Sequence, residues 1–261
     1  MNKTRMIAAV MAVLGITTVS MLPVSTSSTK GASLVCWAAL LPLAVWTASR
    51  RTKVATLLTL CSVGLIVMCA ETLPQSDPAF RAAYVSALRA YDGAPYVWGG
   101  EGKRGIDCSG LVRRGLVNAH IRAGVTGLSP AHIRRAATLW WNDFTARRLA
   151  ENEEWLTTRV GSVASINEAD VSDLQPGDLA VTRSGDHVIV YIGNGQCISA
   201  DPGRMRVVID TLPVSNHWFM IPVSVNRWRD LEDARTNAST LSGTRGTPAA
   251  CAPAAPGIPE R

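Results

Sequence analysis

The hydrophobic pattern divides the chain in two. Between residues 6 and 70, apolar residues gather into three nearly uncharged runs, about 6–24, 32–48 and 54–70. A helix needs roughly 20 apolar residues to cross the hydrocarbon core, with about 17 at the short end. The runs therefore predict two or three transmembrane helices. After them the pattern becomes periodic. Phe80, Tyr84, Val85 and Leu88 recur at helical spacing over 79–90, and Ser109–Ala123 reads as a second helix. Ser129-Pro130 is a helix start, Ser as N-cap and Pro at the first helical position, for a third helix through Trp140 and Trp141 towards Leu149.

The segment Asn152–Val171 has no clear period. Beyond the turn signal Leu174-Gln175-Pro176-Gly177-Asp178 the pattern changes to strands, at 179–182, 187–193, 197–200, 206–210 and 219–225, with Asn194-Gly195 as a hairpin turn. Helices first and antiparallel strands afterwards make an α+β domain over 79–229. A membrane-anchoring segment (1–70) and a polar linker (71–78) precede it. Residues 230–261, rich in Thr, Ala, Gly, Pro and Ser, are expected to be a disordered tail.

Charge sharpens this division. The chain has 26 Lys and Arg against 20 Asp and Glu. Residues 1–70 hold no acidic residue but carry Lys3, Arg5, Lys30, Arg50, Arg51 and Lys53, so the net charge of +6 arises there. The rest is balanced, which argues against nucleic acid as a partner. Basic residues stay preferentially on the cytoplasmic side. Residues 1–5 inside, the loop around Lys30 outside, Arg50–Lys53 inside and everything after Glu71 outside satisfies that rule. A cleavable signal peptide is the alternative reading of the first run, and it leaves the C-terminal domain on the same outer side.

Of six cysteines, Cys36, Cys61 and Cys69 lie in or beside apolar runs and Cys251 in the tail. No C-x-x-C or H-E-x-x-H occurs, so neither a metal nor another cofactor is expected. Cys108–Cys197 is the one disulfide pairing to consider.

Cys108 follows a glycine-rich loop and starts a helix, where unpaired N–H groups favour a thiolate. Such a nucleophile needs a base within reach. His120 lies twelve residues along the same helix, roughly 18 Å away. His132 begins the next helix, and His217 falls in the loop SNHWF. His187, at the start of the strand HVIVYIG, is the best base. The hairpin at Asn194-Gly195 returns the chain so that Ser199 or Asp201 stands beside it as the orienting group.

The sequences PYVWGG, DCSGLV, LQPGDL and HVIVYIGNGQCISA, in this order, resemble the NlpC family of papain-like cell-wall cysteine peptidases, over roughly 77–228. The resemblance implies hydrolysis of peptidoglycan stem peptides, commonly between D-glutamate and the diamino acid, at a bacterial membrane with the catalytic domain outside. By it, Cys108 is the nucleophile and His187 the base. Tyr96 is the loop tyrosine near the thiol, and Asp107 is structural. Ser109 lies at the helix start whose N–H groups hold the oxyanion. The family most often has His where this chain has Ser199, so Ser199 or Asp201 takes that role or His187 is weakly oriented. A non-cleaving wall-binding scaffold and a cysteine amidase or acyltransferase acting on lipid or protein are the rival readings. Trp98 is expected to pack in a tight turn. The interval 117–173, with Arg134, Arg135, Trp140, Trp141, Arg147, Arg148 and Trp155, reads as a groove wall or as an amphipathic helix with Trp in the core.

Overall fold

Alternation along the strands sorts the core onto two faces of one sheet. On Val188–Gly193, the residues Val188, Val190 and Ile192 join the cluster beneath the helices, while Ile189 and Tyr191 join a second cluster with Phe219, Val223 and Val225. Successive side chains of a strand point to opposite faces, and here both faces are covered. The computed structural model describes residues 78–151 and 155–232, with helical positions scattered between 28 and 65.

Helix α1 (Pro78–Arg89) is followed by a two-stranded ribbon, β1 (Glu101–Gly102) and β2 (Gly105–Ile106). Helices α2 (Cys108–Thr126), α3 (Pro130–Trp141) and α4 (Ala146–Ala150) come next. Then come β3 (Thr157–Val163), β4 (Leu179–Thr182), β5 (Val188–Gly193), β6 (Gln196–Asp201), β7 (Arg206–Thr211) and β8 (Val223–Trp228). The last six form one antiparallel sheet in the order β3-β8-β4-β5-β6-β7. Leu111, Val112 and Leu116 of α2 are fully buried against Val188, Ile198 and Val207 of the sheet.

Four expectations are corrected. The third helix stops at Trp141, because Asn142 turns extended and its side-chain amide donates to the Thr138 carbonyl; Thr145 then caps α4. The unassigned stretch contains β3, an edge strand paired only with β8 and bulged near Gly161, so half of it faces water and its period is weak. The last strand starts at Val223 rather than 219: His217–Phe219 make a single 3-10 turn and Pro222 cannot donate to a ladder. The tail does not begin at 230, since Asp230 accepts three hydrogen bonds from Arg135 and Leu231 is fully buried.

Residues 233–261 and 66–77 lie outside the described residues, as do most of the three apolar runs. Among the described residues no helix is long and apolar enough to cross a membrane. One of the described N-terminal positions touches the domain: Lys30 is buried, its Nζ 3.2 Å from Glu101 Oε1 and 5.8 Å from the Trp140 ring centroid.

Candidate active site

Three backbone strands of the glycine-rich loop meet at the start of α2, and they meet closely. A Cβ on Gly100 would fall 2.4 Å from the Gly105 carbonyl oxygen, and one on Gly110 2.2 Å from the Gly100 carbonyl oxygen. Only glycine fits such an approach. Asp107 is the N-cap. Its Oδ1 accepts from the Gly110 N–H (2.6 Å) and the Ser109 hydroxyl (3.0 Å), and its Oδ2 from the Gly99 N–H (2.7 Å). One carboxylate thereby joins loop to helix.

Cys108 is placed by this junction at the foot of the sheet, 6% exposed, with its sulfur against the backbone N–H groups of Val188, Ser109 and Cys108 itself. The thiol is not acidic at rest, contrary to the expectation from its helix start. Burial, and then the negative charge of Asp107, push it up to about 12, and the three N–H groups offset only part of this. Tyr96 is buried at the same place. Its hydroxyl is pushed above its ordinary value by burial first and then by Cys108 and Asp107, which puts the phenol within the electrostatic reach of the thiol.

Val188 is the next residue after His187, so the thiol and the imidazole belong to neighbouring positions. Thr182 fixes the turn between them and β4: its hydroxyl accepts from the N–H of Asp186 and of His187, both at 3.0 Å. The imidazole is 1% exposed and stacks on Trp218, ring centroids 4.7 Å apart at 28°. Burial pushes its pKa down to about 4, against the opposing charge of Asp201. Its buried Nε2 has no hydrogen-bond partner among the described residues.

The two candidates for the third position separate here. The pairing Val190↔Ile198, carried three residues further, sets His187 level with Asp201 and puts Ser199 opposite Ile189. Ser199 is buried (2% exposed). Asp201 is the group whose charge reaches His187, but its oxygens accept from others: Gly203 N–H (2.7 Å) and Arg204 N–H on Oδ1, Arg204 Nε and Asn216 Nδ2 (2.7 Å each) on Oδ2.

A buried thiol at a helix start, a histidine one residue before the strand N–H that meets the sulfur, and an antiparallel sheet beneath the helices are the frame of a papain-like α+β fold. Residues 93–220 match the family model described as "NlpC/P60 family". These residues are an NlpC/P60 domain. Proteins named as "probable endopeptidase" in Mycobacterium tuberculosis and Mycobacterium bovis are 31% identical to this chain over 123 residues, which is 47% of this chain and 24% of theirs. The chain thus spans about a quarter of the length of those relatives. Among solved structures, the NlpC/p60 domain of the peptidoglycan hydrolase SagA is 26% identical and covers 56% of this chain and 97% of its own, with a TM-score of 0.33. The peptidoglycan hydrolase RipB of Mycobacterium tuberculosis is 21% identical, covering 70% and 88%, with a TM-score of 0.34.

Other residues of the NlpC/P60 domain fall away from this centre. His120 and His132 face each other, Nδ1 to Nδ1 at 2.8 Å, with Phe80 against both rings and Asp230 3.7 Å from His120 Nε2. His217 is exposed and edge-on to Trp218. Cys108 and Cys197 are both free and belong to clusters on opposite faces of the sheet, so no disulfide joins them. Among the described residues no cluster suits a metal ion. Trp98 does not pack in its turn but stands 78% exposed. Trp141 and Trp155 are also largely exposed rather than in the core, and Arg135 is bound to Asp230 over the Trp155 ring. Sequence reasoning missed Thr182, Asn216 and Trp218. The N-cap signal of Asn216 before His217-Trp218-Phe219 was the one available pointer to the last two.

Proposed function

We propose that the chain is a membrane-anchored cysteine peptidase that cleaves stem peptides of peptidoglycan outside the cytoplasm, at the bond between D-glutamate and the diamino acid. The observation that carries this is the Cys108 sulfur beside the Val188 N–H, one residue from His187, in an NlpC/P60 domain. The names of the relatives agree with peptidase action on the wall. Cys108 attacks the scissile carbonyl while His187 takes the thiol proton, and N–H groups at the start of α2, that of Ser109 among them, hold the oxyanion, with the Tyr96 hydroxyl alongside. His187 then protonates the leaving amine and activates water to release the acyl group. Because both groups rest neutral, the proton moves as the carbonyl arrives.

Membrane anchoring rests on the three apolar runs and their flanking charges. It is supported by Lys30, which the charge rule sets outside and which meets Glu101 of the domain. A second reading, a wall-binding scaffold that cleaves poorly, draws on the high thiol pKa and the unpartnered Nε2. The test uses the full-length protein in detergent beside its Cys108→Ala variant, with mass spectrometry of treated muropeptides. The peptidase reading requires new amine-bearing stem fragments from the parent only. Identical digests, or unchanged wall binding and cell phenotype in the variant, favour the scaffold.

A further inference from the structure

We propose that Trp218 is the positioning residue for His187, and that Asp201 acts on the imidazole through the turn that carries this tryptophan. The proposal rests on the peptidase reading for its reaction, but its geometry stands alone. A catalytic imidazole must be held in one orientation, and a hydrogen bond to a ring nitrogen is one way to hold it. Here Nε2 is buried and unpartnered. The ring is instead laid flat on the Trp218 indole, 4.7 Å away at 28°. Offset stacking of this kind restricts ring rotation without any polar contact.

Trp218 is itself held. It sits in the single 3-10 turn His217–Phe219, capped by Asn216, whose Oδ1 accepts from the Trp218 N–H at 3.1 Å. The Nδ2 of the same Asn216 donates to Asp201 Oδ2 at 2.7 Å. Two further anchors fix the segment: Asn167 bonds both ways to Val214, at 2.9 Å each, and the Ser165 hydroxyl donates to the Phe219 carbonyl. Asp201 is thus linked to the platform by one amide, and Arg204 Nε donates to the same oxygen. This explains why Asp201 faces His187 in the register and yet spends its oxygens elsewhere. The charged and titratable groups nearest His187 are Asp201 with Arg204, Asp186 before it in the chain and His217 on Trp218, with Cys108 reached through the Val188 N–H and Tyr96 and Asp107 beyond it.

The test measures the full-length protein in detergent with labelled histidine, following the His187 NMR titration alongside kcat and KM on a defined stem peptide. His187→Gln assigns the signal. In the parent the midpoint lies near 4. Trp218→Ala admits water to the ring, raises the midpoint towards the ordinary 6.5, and lowers kcat about tenfold or more while KM stays within about twofold. Trp218→Phe keeps a stacking face and retains both parent values. Asn216→Ala removes the cap and leaves the indole, so its midpoint and kcat fall between, and it serves if Trp218→Ala does not fold. An unmoved midpoint and kcat in Trp218→Ala and Asn216→Ala overturns the proposal, as does a Trp218→Phe variant no better than Trp218→Ala. A parent that leaves stem peptides intact, yet shows these midpoint shifts, supports the platform and overturns the peptidase reading alone.

Discussion

Removing the charge of Asp178 should destabilise the domain without touching the chemistry. Asp178 is 1% exposed and ends the Pro-Gly-Asp turn into β4. Its Oδ1 accepts from Arg227 Nε at 2.7 Å, and its Oδ2 from Arg227 Nη2 and the Gln175 N–H at 2.8 Å each. Arg227, on β8, is equally enclosed. In Asp178→Asn the shape is kept, but a buried guanidinium loses its counter-charge and faces an amide that also donates. Breaking such a pair costs ~3–5 kcal/mol, against a total stability of roughly 5–15 kcal/mol. For a domain of this size that lowers Tm by roughly 10 °C. Near-UV circular dichroism is the assay, since Trp228 packs edge-on to Phe144 at 5.8 Å in the core and reports its loss. Asp178→Leu with Arg227→Met, which removes both charges, should recover most of the deficit. Activity per folded molecule should not change, because the Asp178 turn meets β5 at Tyr191, four residues along the chain from His187. A loss below ~1 kcal/mol in Asp178→Asn, or a double variant as unstable as the single one, refutes the reasoning.

Gly110→Ala drives a methyl into the Gly100 carbonyl, with backbone on both sides. The displaced loop should cost about a hundredfold in kcat/KM, read with the same stem-peptide assay. For His187 the folded pKa of about 4 lies below the ordinary 6.5, so the unfolded chain binds the extra proton between those values. Its contribution is complete above about pH 6.5 and is lost as pH falls to about 4, by ~3 kcal/mol. Denaturant titrations should show His187→Gln with a flatter profile over that window. Asp201 and Asp230, both held below the usual carboxylate range, lose their contributions in the same direction but at lower pH, below the ordinary carboxylate value. A Cys108 thiol near 12 should react with iodoacetamide about tenfold faster per pH unit from 7 to 10. A plateau below pH 8, followed by mass spectrometry of the Cys108 peptide, would reveal a preformed ion pair instead.

Much of this was legible in the sequence because the signals are local. Strand alternation gave β4, β5, β6 and β7 nearly to the residue, and the Asp107–Gly110 junction follows from a short motif with one steric meaning. His187 emerged by elimination among four histidines. What escaped depends on distant segments. The acidity of Cys108 was inferred from its helix start, but burial by the sheet and the neighbouring Asp107 outweigh that local field. The third position was ambiguous because the bulge between Tyr191 and Gly193 sets which β6 residue lies level with His187. Trp218 was hidden in the loop SNHWF, just before the stretch that reads as a strand. His120 and His132 lie twelve residues apart, and only the packing of α2 on α3 brings them together.

The burial of Lys30 bears on how this protein can be studied. Lys30 and Arg113 bind the same oxygen of Glu101, and Arg113, five residues beyond Cys108 on α2, also holds Asp143. A fragment beginning at the domain boundary would leave Glu101 to Arg113 alone and strip the cover from Trp140. Trimming the N-terminal segment is therefore an active perturbation of the helix that carries the nucleophile. Turnover measured on the excised domain would describe a different molecule from the full chain.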